Sequence, residues 1–274
     1  MIDITKYPDS SQFTYWFVRS GTDSFDVYMF ATGEPANIVV SEFNIGTFGN
    51  DILEADFKLF QQRPEYPIGM PVSGGLFTNP DVFESLLAGV FALRHMGWCP
   101  DLADTRFEAC VKWLESTDFF FAPASSMYHE AFPQGLMTHS FKVYNEAISL
   151  LQLPKFKDAN LAEVATIALV HDWCKIGLYE SYLKNVKDEK TKQWHQETAY
   201  RKNLRGLPLG HGVTSMFIAE KFFRLSNDEA LAIRWHQGRW NCCREEMDEL
   251  QLANEKCPLV HLLQFADQLA IVQY

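Results

Sequence analysis

The chain reads as a mainly α-helical protein preceded by a small β-containing module, on three observations. Aromatic and β-branched runs separated by turn residues dominate the chain up to about Gly75. From Asn79 onward, helix start and stop signals recur at helical spacing instead. Hydrophobic residues make up 47% of the 274 residues, enough for a chain of this size to bury roughly three-quarters of its unfolded surface.

The candidate strands are Phe13 to Val18, Phe25 to Ala31 and Asn37 to Phe43, with Ser20-Gly21-Thr22-Asp23 and Thr32-Gly33-Glu34-Pro35 as the turns between them. They predict a small antiparallel sheet. Gln62 to Gly75, with Pro64, Pro67, Pro71 and Gly74-Gly75, reads as a connector, so the division is a module over 1–75 and a helical domain over 76–274. Asn79-Pro80-Asp81 supplies a cap, a proline at the first helical position and an early acid, and Gly97 sits where that helix should stop. Periodicity places further helices at about Ala103–Ser116, Thr138–Leu153, Ala159–Trp173, His211–Leu225, Asp228–Gly238 and Pro258–Val272. Ser226 with Glu229 three residues on is a capping box, the firmest boundary of the chain.

Charge narrows the function classes. Twenty-four basic against 35 acidic residues leave a net charge of −11, which argues against coating nucleic acid non-specifically. The longest apolar run, Leu86 to Leu93, is far too short for a membrane span and ends at Arg94-His95. Met1-Ile2-Asp3-Ile4 lacks the features of a signal peptide, so a cytoplasmic location is expected. The six cysteines form no CxxC pair and read as reduced thiols without a metal. One segment breaks the acidic pattern: Lys184 to Arg205 carries seven basic residues against three acids, together with Trp194 and Tyr200. A solvated surface loop is the commoner outcome for such a stretch. The alternative is a flap over an anionic ligand, with Lys187, Lys192 and Arg201 as its contacts.

His171-Asp172 closes the apolar run Ile167-Ala168-Leu169-Val170. An imidazole and a carboxylate buried there need a partner, a cation or hydrogen bonds. Adjacent helical residues diverge by about 100°, so both reach one ion only near a helix end or with ligands converging from other helices. His139, near the start of the preceding helix, and Asp267, in the last one, are suitable neighbours. Mixed imidazole and carboxylate donors suit a divalent transition metal (Mn, Fe, Ni, Co or Zn) better than Ca²⁺, with Mg²⁺ also possible.

The order of these residues resembles the signature of the HD-domain metal-dependent phosphohydrolases, an all-helical superfamily. Gly135-Leu136-Met137-Thr138-His139 is similar to its G-L-x-x-H helix start, and His171-Asp172-Trp173-Cys174-Lys175 to its H-D-x-x-K segment. Pro208-Leu209-Gly210-His211-Gly212, Ala232-Ile233-Arg234-Trp235-His236 and Ala266-Asp267 complete the pattern, which runs from about Phe132 to Ala270. The nearest resemblance is to bacterial and phage HD hydrolases, and a more distant one is to the HD module of some bacterial 3′-to-5′ exoribonucleases.

The resemblance implies that His139, His171, Asp172 and Asp267 hold one metal, that His211 and His236 hold a second bridged by Asp172, and that Lys175 contacts phosphate. Two-metal members often carry a double histidine where this chain has His236-Gln237. No Gly-Tyr-Pro stands near Lys175, which sets the chain apart from the cyclic-di-GMP phosphodiesterases. Arg239, flanked by Trp235 and Trp240 beyond His236, is a further candidate for phosphate and base recognition. Of the remaining histidines, His95 reads as a helix C-terminal residue, His129 as packing in an aromatic loop and His195 as a solvated loop residue, while His261, which points away from Asp267 at 3.6 residues per turn, reads as a core residue or one behind the ligands.

The expected activity is hydrolysis of a phosphate ester, with Asp172 and Lys175 at the chemistry and a small phosphorylated partner, first of all a nucleotide. A phosphodiesterase or 3′-to-5′ exonuclease on short RNA or cyclic nucleotides, and a nucleotide-binding module without hydrolysis, are the alternatives. The metal number and the oligomeric state stay open.

Overall fold

Three strands pair at the N-terminal end: β1 (Phe13–Arg19), β2 (Phe25–Ala31) and β3 (Ile38–Val40), in the order β1-β2-β3 and antiparallel throughout. Phe17 stands opposite Val27, and Tyr28 opposite Val39, so the aromatic and β-branched runs that predict strands form the ladder. The computed structural model describes residues 13–19, 25–31, 38–40, 80–94, 100–203 and 207–272. The expected turns, the connector over Gln62–Gly75 with the domain division beside it, the cap at Asn79, the stop near Gly97, and His95 lie outside them.

The helices follow. α1 (Pro80–Arg94) starts at the proline and buries Val82, Phe83, Leu86, Leu87, Val90 and Phe91, a stripe at helical spacing. After it come α2 (Pro100–Glu115), α3 (Gly135–Leu150), α4 (Leu161–Val170), α5 (His211–Phe223), α6 (Asn227–Trp235), α7 (Met247–Lys256) and α8 (Pro258–Ala270). The chain is therefore mainly α, as its sequence predicts. The short helix α4 runs through the middle of the core, buried over Ala162 and Val164 to Val170, with α1, α3, α6 and α8 packed around it. Asn160 caps it by accepting from the backbone N–H of Ala162 and Glu163, at 2.9 and 3.3 Å. At α6 the capping box is present in both directions.

Phe83 sits where α1, α3 and the loop before α3 meet. Its ring lies 4.8 Å from Phe119 and 5.4 Å from Phe141, tilted and edge-on. At the end of α1, the Arg94 guanidinium pairs with both carboxylate oxygens of Glu229 in α6. It also donates to Thr166 Oγ1 in α4 at 3.1 Å and to the carbonyls of Phe223 and Arg224, each at 3.0 Å.

Two elements depart from expectation. Where the sequence suggests a loop or flap, β4 (Tyr179–Lys187) and β5 (Trp194–Lys202) form an antiparallel hairpin. Both of its faces are largely exposed, so it shows none of the in-out apolar alternation by which strands are recognised. Its base is pinned by the Asn203 N–H donating to the Leu178 carbonyl, and by the Gly177 N–H donating to Asp118 Oδ1, both at 2.8 Å. The second is α7, a polar helix that buries only Leu250 and Ala253, too few for a periodic signal. Helix α3 also begins a turn before the expected Thr138, with Thr138 itself buried.

Among the described residues, no helix is long and apolar enough to cross a membrane. Cys110, Cys174, Cys242, Cys243 and Cys257 are free thiols, and Cys99 lies outside the described residues.

Candidate metal centre

Backbone geometry brings the polar residues together before any side chain is considered. The loop preceding α3 turns at Glu130 with a positive φ of 46°, and its carbonyl accepts from the Ala124 N–H at 3.0 Å. A Cβ on Gly135 would lie 2.0 Å from that same carbonyl, so only glycine lets the loop lie against the first turn of α3. His139 follows one turn later, fully buried.

Helix α4 stops at Val170, and the chain bends through Asp172 (φ −107°, ψ 15°) into a 3₁₀ turn over Trp173–Lys175. The break removes the divergence that a continuous helix would impose on His171 and Asp172, while Trp173 turns into the core. At α5, a Cβ on Gly212 would lie 2.2 Å from the Arg234 carbonyl, so the start of α5 rests directly on the end of α6. That contact sets His211, the first residue of α5, beside His236, which caps α6, with ring centroids 5.0 Å apart.

The six residues expected to hold metal therefore converge. His139 Nε2 lies 3.4 Å from His171 Nε2 and 3.0 Å from Asp267 Oδ1. Asp172 turns one oxygen to each side. Its Oδ2 is 3.5 and 3.4 Å from the Nε2 atoms of His139 and His171, and its Oδ1 is 2.7 and 3.6 Å from those of His211 and His236. Lys175 Nζ sits 2.6 Å from Oδ2 and is itself buried.

The ring hydrogen bonds sort these imidazoles. Nδ1 of His171 faces the Ala168 carbonyl at 2.9 Å, and Nδ1 of His236 faces the Ile233 carbonyl at 2.7 Å. A carbonyl only accepts, so each Nδ1 carries the proton and each Nε2 presents a lone pair to the centre. His211 differs. Burial and the Asp172 carboxylate push the Cys174 thiol up to about 12, and Cys174 Sγ lies 3.3 Å from His211 Nδ1. Without a cation the thiol donates to Nδ1 and His211 offers its Nε2–H to Asp172. With the ring proton on Nδ1 instead, toward Cys174 Sγ, the Nε2 lone pair is free for a cation.

Charge balance is tight. Burial opposes the charged form of Asp172, but Lys175 and His171 hold its carboxyl well below the usual range. Burial also opposes the His139 imidazolium, yet Asp267 and Glu130 outweigh it and lift the ring to about 9. Burial pushes His171 and His211 down.

Three atoms here are buried without a hydrogen-bond partner: Nε2 of His236, Nδ1 of His139 and Oε2 of Glu130. The orphaned Nε2 of His236 and two further Nε2 atoms 3.4 Å apart, all converging on carboxylate oxygens, form a donor set that fits a divalent cation. The residues thus fit the metal that the sequence implies. His139, His171 and Asp267 form one group whose ligand atoms all lie within 4.8 Å of one another, and His171, Asp172 and His236 form another.

Glu130 was not legible in the sequence, since no motif flags it. Its Oε2 lies 3.5 Å from His139 Nδ1, while Lys142 Nζ holds its Oε1 at 2.6 Å. A carboxylate behind a ligating imidazole fixes the ring and its tautomer, and losing such a partner typically weakens metal affinity about 10–100-fold. Glu130→Gln is expected to weaken cation binding by that amount with all six donors in place, as isothermal titration of metal-stripped protein would read. His129, expected to be packing, lies half-buried with its ring 4.9 Å from that of His139.

Other predicted residues stand elsewhere. Lys187 lies over the Trp194 ring, and Arg201 pairs with Glu180 and lies over Tyr182, all within the hairpin. Lys192 stands in its turn with φ of 56°. Arg239 is exposed and lines a groove with Met247, Gln251 and His261, and His261 Nε2 lies 3.0 Å from the Asn254 carbonyl. His195 is exposed and pairs with Glu197.

In comparison with known families, the HD domain matches residues 136–271. No curated protein and no solved structure matches the chain.

Proposed function

Because the chain belongs to the HD-domain family, whose members are in general metal-dependent phosphohydrolases, we propose that it hydrolyses a phosphate monoester of a nucleotide with divalent cations. The observation that carries the reading is the placing of Asp172 between two sets of imidazoles, His139 with His171 on one side and His211 with His236 on the other. A cation held by these residues would supply Lewis acidity to a phosphoryl group and would make water a stronger acid near neutral pH. His139, His171, Asp172 and Asp267 would hold one cation, and His211 and His236 with the other oxygen of Asp172 a second.

Lys175 keeps a buried positive charge beside Asp172, where negative charge grows on phosphoryl oxygens as the ester breaks. Glu130, whose Oε2 lies 3.5 Å behind His139 Nδ1, would orient that ring. The nucleotide reading draws support from the basic, aromatic hairpin that starts four residues after Lys175. Free thiols accord with a reducing, cytoplasmic setting.

A chromogenic phosphomonoester, offered to metal-stripped protein with Mn²⁺, Fe²⁺, Ni²⁺, Co²⁺, Zn²⁺ or Mg²⁺ in turn, is expected to be hydrolysed only with cation and to stop on chelation. A panel of nucleoside mono-, di- and triphosphates should then show the monophosphates turned over fastest. Absence of turnover with every cation, in protein shown by titration to bind metal, would overturn the proposal.

A further inference from the structure

The hairpin sorts its residues by face in a way its net charge does not reveal. In an antiparallel pair, opposite residues share a face and alternate pairs lie on the other one. Tyr179 with Lys202, Ser181 with Tyr200, Leu183 with Thr198, Asn185 with Gln196, and Lys187 with Trp194 therefore form one face. Glu180 with Arg201, Tyr182 with Ala199, Lys184 with Glu197, and Val186 with His195 form the other. Both strand carboxylates stand on the second face, where Glu180 pairs with Arg201 and Glu197 with His195.

The first face has no acid. It carries two lysines and three aromatic rings, spaced by hydroxyls and amides, and Trp194 and Leu183 on it are 68% and 65% exposed. It begins beside the metal centre. Tyr179 stands four residues after Lys175, and the Leu178 N–H donates to the Lys175 carbonyl at 3.0 Å. Nine residues at about 3.4 Å each carry the face roughly 30 Å out to Trp194.

We infer that this face binds single-stranded nucleic acid along its length and leads a strand end to the metal centre. Rings on which bases stack, interleaved with cations for the backbone, make a platform that is tolerant of sequence. A lone nucleotide would meet only the end of the track beside the metal centre, and a strand whose terminal nucleotide lies there would fill the rest. A protein partner is less well matched, because polar side chains break up the apolar surface. Isolated two-stranded hairpins are marginal in water, so an exposed one of this length gains from a ligand laid along it. The assignment deepens the phosphohydrolase reading, on which it rests for the fate of the strand's phosphate. The net charge of −11 opposes non-specific coating and leaves room for one acid-free face.

Fluorescence anisotropy of the full chain in chelator, with labelled oligo(U) and oligo(dT) of about 3, 6 and 12 nucleotides, tests it. The longest oligomer is expected to bind at least about tenfold more tightly than the shortest. Trp194→Ala with Tyr200→Ala should weaken the longest by about 10–100-fold, with folding checked by circular dichroism. Lys187→Gln with Lys202→Gln should flatten the logarithmic salt dependence by about 1.4, while Lys184→Gln, on the other face, should leave it unchanged. Equal affinity for all lengths would overturn the inference, as would wild-type binding by the aromatic variant. So would sedimentation as a dimer that the aromatic variant dissolves, which would give the face to a second copy. Turnover of the chromogenic ester reports separately on the metal centre, so its loss with oligomer binding intact would remove the phosphohydrolase reading and not the platform.

Discussion

Asp172→Asn is expected to give a folded protein that has lost turnover of phosphate esters and binds cations far more weakly. Asparagine has the same shape, so the core around Trp173 and α4 is undisturbed. What changes is that one oxygen becomes an NH₂ donor, and both orientations of the amide are harmful. Turned one way, the NH₂ replaces Oδ2 and faces Lys175 Nζ and the Nε2 atoms of His139 and His171, all within 3.5 Å. Turned the other way, it replaces Oδ1 and faces the Nε2 atoms of His211 and His236. Since Asp172 serves both sides, the loss should exceed the 10–100-fold expected for Glu130→Gln, which acts through His139 alone. Titration calorimetry and metal content after dialysis measure this. Asp267→Asn should be milder, because Asp267 approaches only the His139 and His171 side. Full turnover by Asp172→Asn would remove Asp172 from the chemistry.

Much of the helical framework could be read in the sequence because its signals are local. A proline at the start of α1 and the Ser226–Glu229 box act over three or four residues, and the apolar stripes they bound are periodic. The Asn160 cap of α4 escapes that reading, which starts the helix at Ala159. The six converging His and Asp residues were legible through motif order, since each stands at a helix end or beside a glycine that permits close approach. Glu130 was not. Its position depends on the loop folding back on Gly135 and on a left-handed backbone, and neither leaves a pattern in residue spacing. The hairpin escaped for a related reason. Its order lies in backbone pairing and in a division between acid-free and ion-paired faces, which a count of basic residues averages away.

Arg94→Ala should be the most destabilising single change outside the metal centre. Glu229 is wholly buried, and Arg94 meets both of its oxygens. Truncation would leave that carboxylate with the Ser226 N–H at 2.7 Å as its remaining partner, and would also strip the donors from the carbonyls of Phe223 and Arg224 at the end of α5. Breaking a buried pair from one side costs about 3–5 kcal/mol, a large share of the roughly 5–15 kcal/mol that holds a domain folded. The urea midpoint should fall by a matching amount with an unchanged slope. Arg94→Met with Glu229→Met should recover much of the loss, since no buried charge then stands alone. Cation affinity of the folded protein should hardly move. Arg94 grips the end of α5 and the start of α6, whereas His211 and His236 stand at the opposite ends, about 20 Å away along α5 and about 14 Å along α6. A variant that lost cation affinity in step with stability would mean that the helix pair transmits the break along its length, and that the Gly212 contact does not fix the histidines on its own.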